Sequence, residues 1–199
     1  GAPHFAGSRV TTPLNPNDAA TGRIDAQALG KVAVLLGGSS AEREISLLSG
    51  TGVLKALQSQ GVDAHGFDPA ERDLSELRRE GYARVFIALH GRRGEDGTVQ
   101  GMMDLMGLRY THSGLATSVI AIDKVLTKQA LVPHGIPMPG GRIVKSADVF
   151  EADPLARPYV LKPVNEGSSV GVAIVTDQGN YGNPIARDAK GPWAEFEEL

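Results

Sequence analysis

Two short apolar runs, each ending in a glycine-rich stretch, constrain this chain more than any other feature. Lys31-Val-Ala-Val-Leu-Leu36 runs into Gly37-Gly38-Ser39-Ser40, and Arg84-Val-Phe-Ile-Ala-Leu89 runs into His90–Gly97. Runs without polar alternation suit strands buried on both faces, as in a parallel sheet covered by helices. Between them the spacing predicts a helix over Glu44–Gln60, with Ile45, Leu48, Gly52, Val53, Ala56 and Leu57 recurring at helical intervals and Gly61 as its stop. Asp63–Asp68 reads as a short strand, and Leu74, Leu77 and Arg78 as a short helix behind an Asp73 cap. Val99–Met106 reads as a helix and Arg109–Thr111 as a strand. Strands alternating with helices imply βαβ crossovers and a doubly wound, mostly parallel sheet. Ligands of such sheets bind beyond the carboxyl ends of the strands, where both glycine-rich loops fall.

The organisation changes near Ser113-Gly114. One helix is expected from Leu115 to about Leu131, with Val119, Ile122, Val125, Leu126 and Leu131 on one side. Pro133, Gly135, Pro137 and Pro139 then break the chain. Arg142–Val144, Tyr159–Pro163 and Val172–Thr176 read as strands, the last two flanking the small-residue loop Asn165–Gly171. Strand, Gly/Ser loop, strand is a hairpin pattern, so 114–199 is expected to be a second unit with an antiparallel sheet. Residues 1–30, with three prolines and Phe5 as their one aromatic, read as a flexible leader, any order there coming from docking onto the body. The expected division is therefore 1–30, 31–113 and 114–199.

Composition narrows the function classes. The 199 residues are 41% hydrophobic and 22% charged, with a net charge of −3, so the basic footprint of a nucleic-acid binder or a membrane-surface anchor is absent. With no cysteine, disulfide scaffolds, thiol nucleophiles and thiolate metal sites are excluded. No apolar run approaches the length of a transmembrane helix, and no secretory signal is recognisable, so a cytoplasmic location is expected. The 25 glycines against 5% aromatics favour α/β units with functional loops.

Three loops carry chemistry, and each also has a structural reading. Gly37–Glu44 joins a buried strand to a helix, where backbone amides favour an anion, but Ser40 as N-cap and Glu42 or Glu44 as dipole-complementing acids suffice to explain it. It lacks Gly-x-Gly-x-x-Gly, so no dinucleotide fingerprint is present. His90–Gly97 places His90, Arg92, Arg93 and Glu95 at a strand end, suited to binding an anion or moving a proton, or simply to a charged turn. Lys162 next to Glu166-Gly-Ser-Ser-Val-Gly171 offers charge, hydroxyls and successive amides for a phosphate, or an ordinary hairpin tip. Lys124 reads as a surface lysine, and Trp193 and Phe196 as packing residues.

Lys31–Ser46 (KVAVLLGGSSAEREIS), His90–Gly101 (HGRRGEDGTVQG), Asp123-Lys124 and Lys162–Gly171 (KPVNEGSSVG) together resemble the D-alanine–D-alanine ligase family of ATP-grasp enzymes, in register from Lys31 to Leu199. The resemblance implies a Rossmann-like pre-ATP-grasp domain followed by part of an α+β ATP-grasp central domain. It implies an ATP-dependent joining of two D-alanines through an acyl phosphate, for peptidoglycan precursor synthesis, in a cytoplasmic homodimer.

Matched residue by residue, Glu42 would hold the ammonium of the first D-alanine and Ser168 would orient Glu42. His90 would orient a carboxylate or assist proton movement. Lys124 and Lys162 would contact ATP phosphates, under a backbone lid from Ser169, Val170 and Gly171. Ligands for Mg²⁺ are expected beyond Leu199, and no metal ligand is expected among residues 1–199. The chain alone is accordingly expected to fold in its N-terminal half and not to catalyse. A D-alanine–D-lactate ligase, or a non-catalytic substrate-binding fragment, are the other readings this resemblance admits.

Overall fold

The computed structural model describes residues 25–145, 153–168 and 171–182. Expectations placed on Phe5, Ser169, Val170, Trp193 and Phe196 lie outside them. Residues 25–30 dock on the body through a 3₁₀ turn, Gln27–Leu29, with Ala26 and Leu29 packed beside Val32, Val62 and Ala64.

The first unit runs β1 (Val32–Leu35), α1 (Arg43–Ser59), β2 (Ala64–Phe67), α2 (Glu76–Arg79), β3 (Arg84–Ile87), α3 (Thr98–Met106) and β4 (Arg109–Tyr110). The four strands pair in parallel in the order β2-β1-β3-β4, with Leu35 opposite both Phe67 and Ile87. All four residues of β1 are buried, as its unbroken apolar run requires. The core gathers Leu35, Phe67, Leu77, Val85, Ile87 and Met103, each worth roughly 1.5–3 kcal/mol when fully buried. Winding proceeds from β1 to β2 on one side, and β3 lies on the other. The loops after β1 and β3 therefore flank the point where strand order reverses, the usual position of a ligand crevice.

Helix α1 forms where the spacing places it, but only part of its apolar set meets the core: Leu54 and Leu57 pack beside Val32, Val62 and Ala64. Ile45 is 55% exposed and Leu48 74% exposed, whereas Ser46 and Gly50 are buried. A β-carbon on Gly50 would lie 2.4 Å from Leu36 Cβ, so the helix sits too close to the sheet for any side chain but the smallest. The short helix after Asp73 starts two residues later than expected. Asp73 Oδ1 accepts the Ser75 amide at 2.7 Å, and α2 begins behind Ser75.

The second unit starts with two helices rather than one. α4 (Leu115–Ile122) and α5 (Lys124–Leu131) are separated by Asp123, whose backbone is extended. Its Oδ1 accepts the amides of Val125 at 2.8 Å and Leu126 at 2.9 Å, so the acid starts a new helix instead of continuing the old one. Arg142–Val144 forms no strand. The expected hairpin is present. β5 (Tyr159–Leu161) and β6 (Ala173–Thr176) pair antiparallel, and β7 (Gly179–Gly182), which the sequence did not suggest, continues the sheet. Among the described residues no helix is long and apolar enough to cross a membrane.

Candidate functional site

The site is assembled from the loops after β1 and β3 and from the β5–β6 connection. Glu42 occupies the N-cap position of α1, half-buried. Its amide donates to Ser40 Oγ at 3.2 Å, and Ser40 Oγ donates onward to the His90 carbonyl at 2.8 Å, tying the two sheet-end loops together. Gly91 has φ +67, and a β-carbon there would lie 2.7 Å from Glu42 Oε2. Only glycine lets the backbone pass so close to that carboxylate.

Ser168 reaches the same carboxylate from the second unit. Its Oγ donates to Glu42 Oε1 at 2.6 Å, across 126 positions of sequence. Its backbone is left-handed, φ +50, which a serine adopts rarely. The neighbouring Gly167 stands close to Glu95: a β-carbon there would be 3.7 Å from Glu95 Oε2. Gly97, at φ +92, brings the loop against α4, where Val119 and Leu115 leave no room for a side chain.

His90 leaves the end of β3 half-buried. Its Nε2 is 2.9 Å from Ser49 Oγ and its Nδ1 is 3.7 Å from Glu95 Oε1. Ser46 Oγ donates to the buried Ala88 carbonyl at 2.7 Å. Ser46 and Ser49 went unnoticed in the sequence, although two serines three apart beside Gly50 mark a small-residue helix face that can meet a strand end.

Lys124 is not a free surface lysine. Its Nζ donates to the Glu166 carbonyl at 2.6 Å and the Val164 carbonyl at 3.2 Å, and its amide donates to the same Val164 oxygen at 3.1 Å. Burial, and then the positive charge of Lys162, push its pKa below that of an ordinary lysine. Lys162 itself is exposed. Two cations thus share the floor of the Glu166–Ser168 loop, the arrangement that a polyanion would relieve. Gly171 closes that loop with φ +66.

Beside these groups a cleft of about 370 Å³ opens between the loops, walled by Leu74, Val99 and Met102 and rimmed by Ser39, Arg92 and Arg93. Asp96 fixes its outer loop, accepting the Arg93 amide at 2.8 Å and the Thr98 amide at 3.0 Å. Burial raises the Asp96 pKa, but those amide bonds outweigh it and the net shift is downward. Among the described residues, no group of three or more His, Asp or Glu could hold a metal ion.

The structure therefore brings Glu42, Ser168 and His90 together, and sets Lys124 under the adjoining loop with Lys162 close enough for its charge to be felt. A family model described as D-ala D-ala ligase N-terminus matches residues 67–113. A D-alanine–D-alanine ligase of Erythrobacter litoralis is 67% identical over 168 residues, covering 84% of this chain and 52% of the relative. The ligase of Novosphingobium aromaticivorans is 67% identical over 169 residues, with 84% and 54% covered. This chain resembles the D-alanine–D-alanine ligases. The likeness extends over its N-terminal and early central part, and the chain spans about half the length of the curated relatives it matches.

The solved D-alanine–D-alanine ligase of Bacillus anthracis superposes with a TM-score of 0.60 at 31% identity, covering 74% of this chain and 49% of that one. The same enzyme complexed with ATP gives 0.57 at 27% identity, covering 74% and 50%. The expected α/β fold, a parallel sheet followed by a smaller α+β unit, is the one these D-alanine–D-alanine ligases share over that region.

Proposed function

We propose that this chain carries the first-substrate pocket and part of the nucleotide pocket of an ATP-dependent ligase that joins two D-alanines for peptidoglycan precursors in the cytoplasm. The observation that carries the reading is the 2.6 Å bond from Ser168 to Glu42, which joins the carboxylate of the first unit to the loop whose carbonyls Lys124 holds.

A carboxylate is a poor acylating group until one of its oxygens becomes a leaving group. In the proposed reaction, an oxygen of the first D-alanine carboxylate attacks the γ-phosphorus of ATP, and ADP leaves. The amine of the second D-alanine then attacks the acyl carbon, loses a proton, and inorganic phosphate departs. Such transfers depend on positioning and on compensating negative charge. Glu42 binds the first ammonium with Ser168 fixing its direction. His90, held by Ser49, orients the first carboxylate or assists the proton's departure. Lys124 and Lys162 meet the phosphates. Ser169, Val170 and Gly171 cover them with backbone amides. The described residues do not by themselves supply a ligand set for Mg²⁺, so no step here is routed through it.

The exposed stripe of Ile45 and Leu48 on α1 is the surface we assign to a second copy in a homodimer. We assign the domain division 31–113 and 114–199, which is supported by the parallel sheet and the antiparallel sheet falling on either side of it. The test is phosphate release and dipeptide formation with ATP, Mg²⁺ and D-alanine. It is run on the 199-residue chain and on the chain extended with the C-terminal half of the Novosphingobium relative. D-alanyl-D-alanine from the extended protein is the expected result, and none from the chain alone. An extended protein that is folded and binds ATP but forms no dipeptide would overturn the reading, and preferential formation of a D-alanyl-D-lactate ester when D-lactate is added beside D-alanine would select the depsipeptide variant instead.

A further inference from the structure

The acid at the end of β2 is nearly buried, and two of its side-chain contacts, to Gly38 and Arg43, lead toward Glu42. Asp68 follows Phe67, the last residue of β2, and is 9% exposed. Its Oδ1 accepts the Gly38 amide at 2.9 Å and the Ala70 amide at 2.9 Å. Its Oδ2 lies 2.8 Å from Arg43 Nη1, and that same nitrogen donates to the Gly38 carbonyl at 2.8 Å. Arg43 is the first residue of α1 and the immediate neighbour of Glu42. Gly37 has φ +78, and a β-carbon there would stand 2.3 Å from Asp68 Oδ2 and 2.7 Å from Arg43 Nη1. The loop after β1, the end of β2 and the start of α1 are therefore closed into one hydrogen-bonded ring.

Glu42 lies just outside that ring, its carboxylate turned the other way, toward Gly91 and Ser168. Two consecutive glycines give the loop more backbone freedom than any other pair of residues would. Something must remove that freedom if the carboxylate is to meet an ammonium in one direction, and the ring does so at both peptide groups of Gly38. We propose that Asp68, acting through Arg43, is a positioning residue that sets the direction in which Glu42 presents its carboxylate. The effect on D-alanine rests on the function proposed above; the effect on the geometry of Glu42 does not.

The experiment has two arms. In the first, Asp68→Asn and Arg43→Lys are made in the extended protein, with Glu71→Gln as control, since Glu71 only touches Arg43 from solvent at 3.7 Å. Misplacing a group by a fraction of an ångström raises KM for the first D-alanine, expected here at about tenfold for Asp68→Asn and less for Arg43→Lys, with kcat within about twofold and the control unchanged. A pair that merely held the fold together would lower kcat with the folded fraction and leave KM alone; that result overturns the proposal.

In the second arm, amide hydrogen exchange is read on the 199-residue chain without substrate. Asp68→Asn should speed exchange at Gly38 and also at Glu42 by about tenfold or more, with Val34 and Leu35 in β1 unchanged. Faster exchange at Gly38 with Glu42 unmoved overturns the proposal even if the ligase reading has failed in the first arm. Should Asp68→Asn not fold, Arg43→Lys gives the same comparison.

Discussion

At the scale of single residues, the site depends on Glu42 having three neighbours that each constrain it differently. Ser168 donates to one oxygen, Gly91 makes room for the other, and Ser40 receives its amide. Glu42→Gln keeps the shape and removes the charge. A charge-assisted hydrogen bond is worth roughly 1.5–3 kcal/mol, so KM for the first D-alanine in the extended protein should rise at least tenfold. Steady-state kinetics with the second substrate saturating will show this, and an unchanged KM would remove Glu42 from the role.

Asp68 carries a pH signature of its own. Burial raises its pKa, but the Gly38 and Ala70 amides and Arg43 outweigh burial, and the net shift is downward. A depressed carboxyl contributes stability that is complete above the unfolded value of about 3.9 and is lost as pH falls through the folded value. Urea melts of the wild type should thus weaken below about pH 4, and Asp68→Asn should be less stable at neutral pH but lose less on acidification. Parallel pH profiles for the two proteins would contradict this.

At the scale of elements, two glycines in one helix separate space from propensity. Nothing stands within 4 Å of a β-carbon on Gly52, whereas one on Gly50 meets Leu36 Cβ at 2.4 Å. Gly52→Ala should stabilise by about 0.5–1 kcal/mol through helix propensity and a less entropic unfolded chain. Gly50→Ala should destabilise by roughly 1–3 kcal/mol despite the same propensity gain, because α1 must lift from the sheet. Thermal melts of both variants decide the matter; a stabilised Gly50→Ala would mean the helix is not seated as described. Asp123→Ala removes the cap of α5 and should cost about 1 kcal/mol.

These elements also show what the sequence can and cannot reveal. β1 was legible because a strand buried on both faces needs an unbroken apolar run; β3 shares that run although only Val85 and Ile87 are fully buried, and the glycines after both marked the loops that hold Glu42 and His90. Apolar spacing shows that α1 is a helix but not how closely it sits on the sheet, because the closest contacts are made by Ser46 and Gly50, which carry no apolar signal. The break at Asp123 was hidden because Val119, Ile122, Val125 and Leu126 keep helical spacing across it. Asp68 and Ser49 were silent for a different reason. Their partners lie 30 and 41 positions away, and no local pattern encodes such a pairing.

At the scale of the whole molecule, the apolar core is unevenly shared. Both buried clusters are built from residues between Ala26 and Tyr110, while the buried apolar side chains of the described second unit are Tyr159, Pro163, Ala173 and Val175. Residues 25–113 expressed alone should therefore unfold in one cooperative transition, though about 90 residues is a modest size for a self-sufficient core. Near-ultraviolet circular dichroism and urea melts will test it. A non-cooperative melt would mean that the second sheet contributes stability its few buried residues do not suggest.

The hydroxyl of Ser168 resting on Glu42 makes the two units thermodynamic partners. If a cation arriving at Glu42 strengthens the hold of that loop by some factor, then anything that holds the loop down must tighten the cation's binding by the same factor. Lys124 donates to two of the loop's carbonyls, so under the proposed function a polyanion drawn to it would alter the loop's seating and be felt at the carboxylate. Occupancy at one end of the crevice is thereby reported at the other through a single proton shared between a serine and an acid.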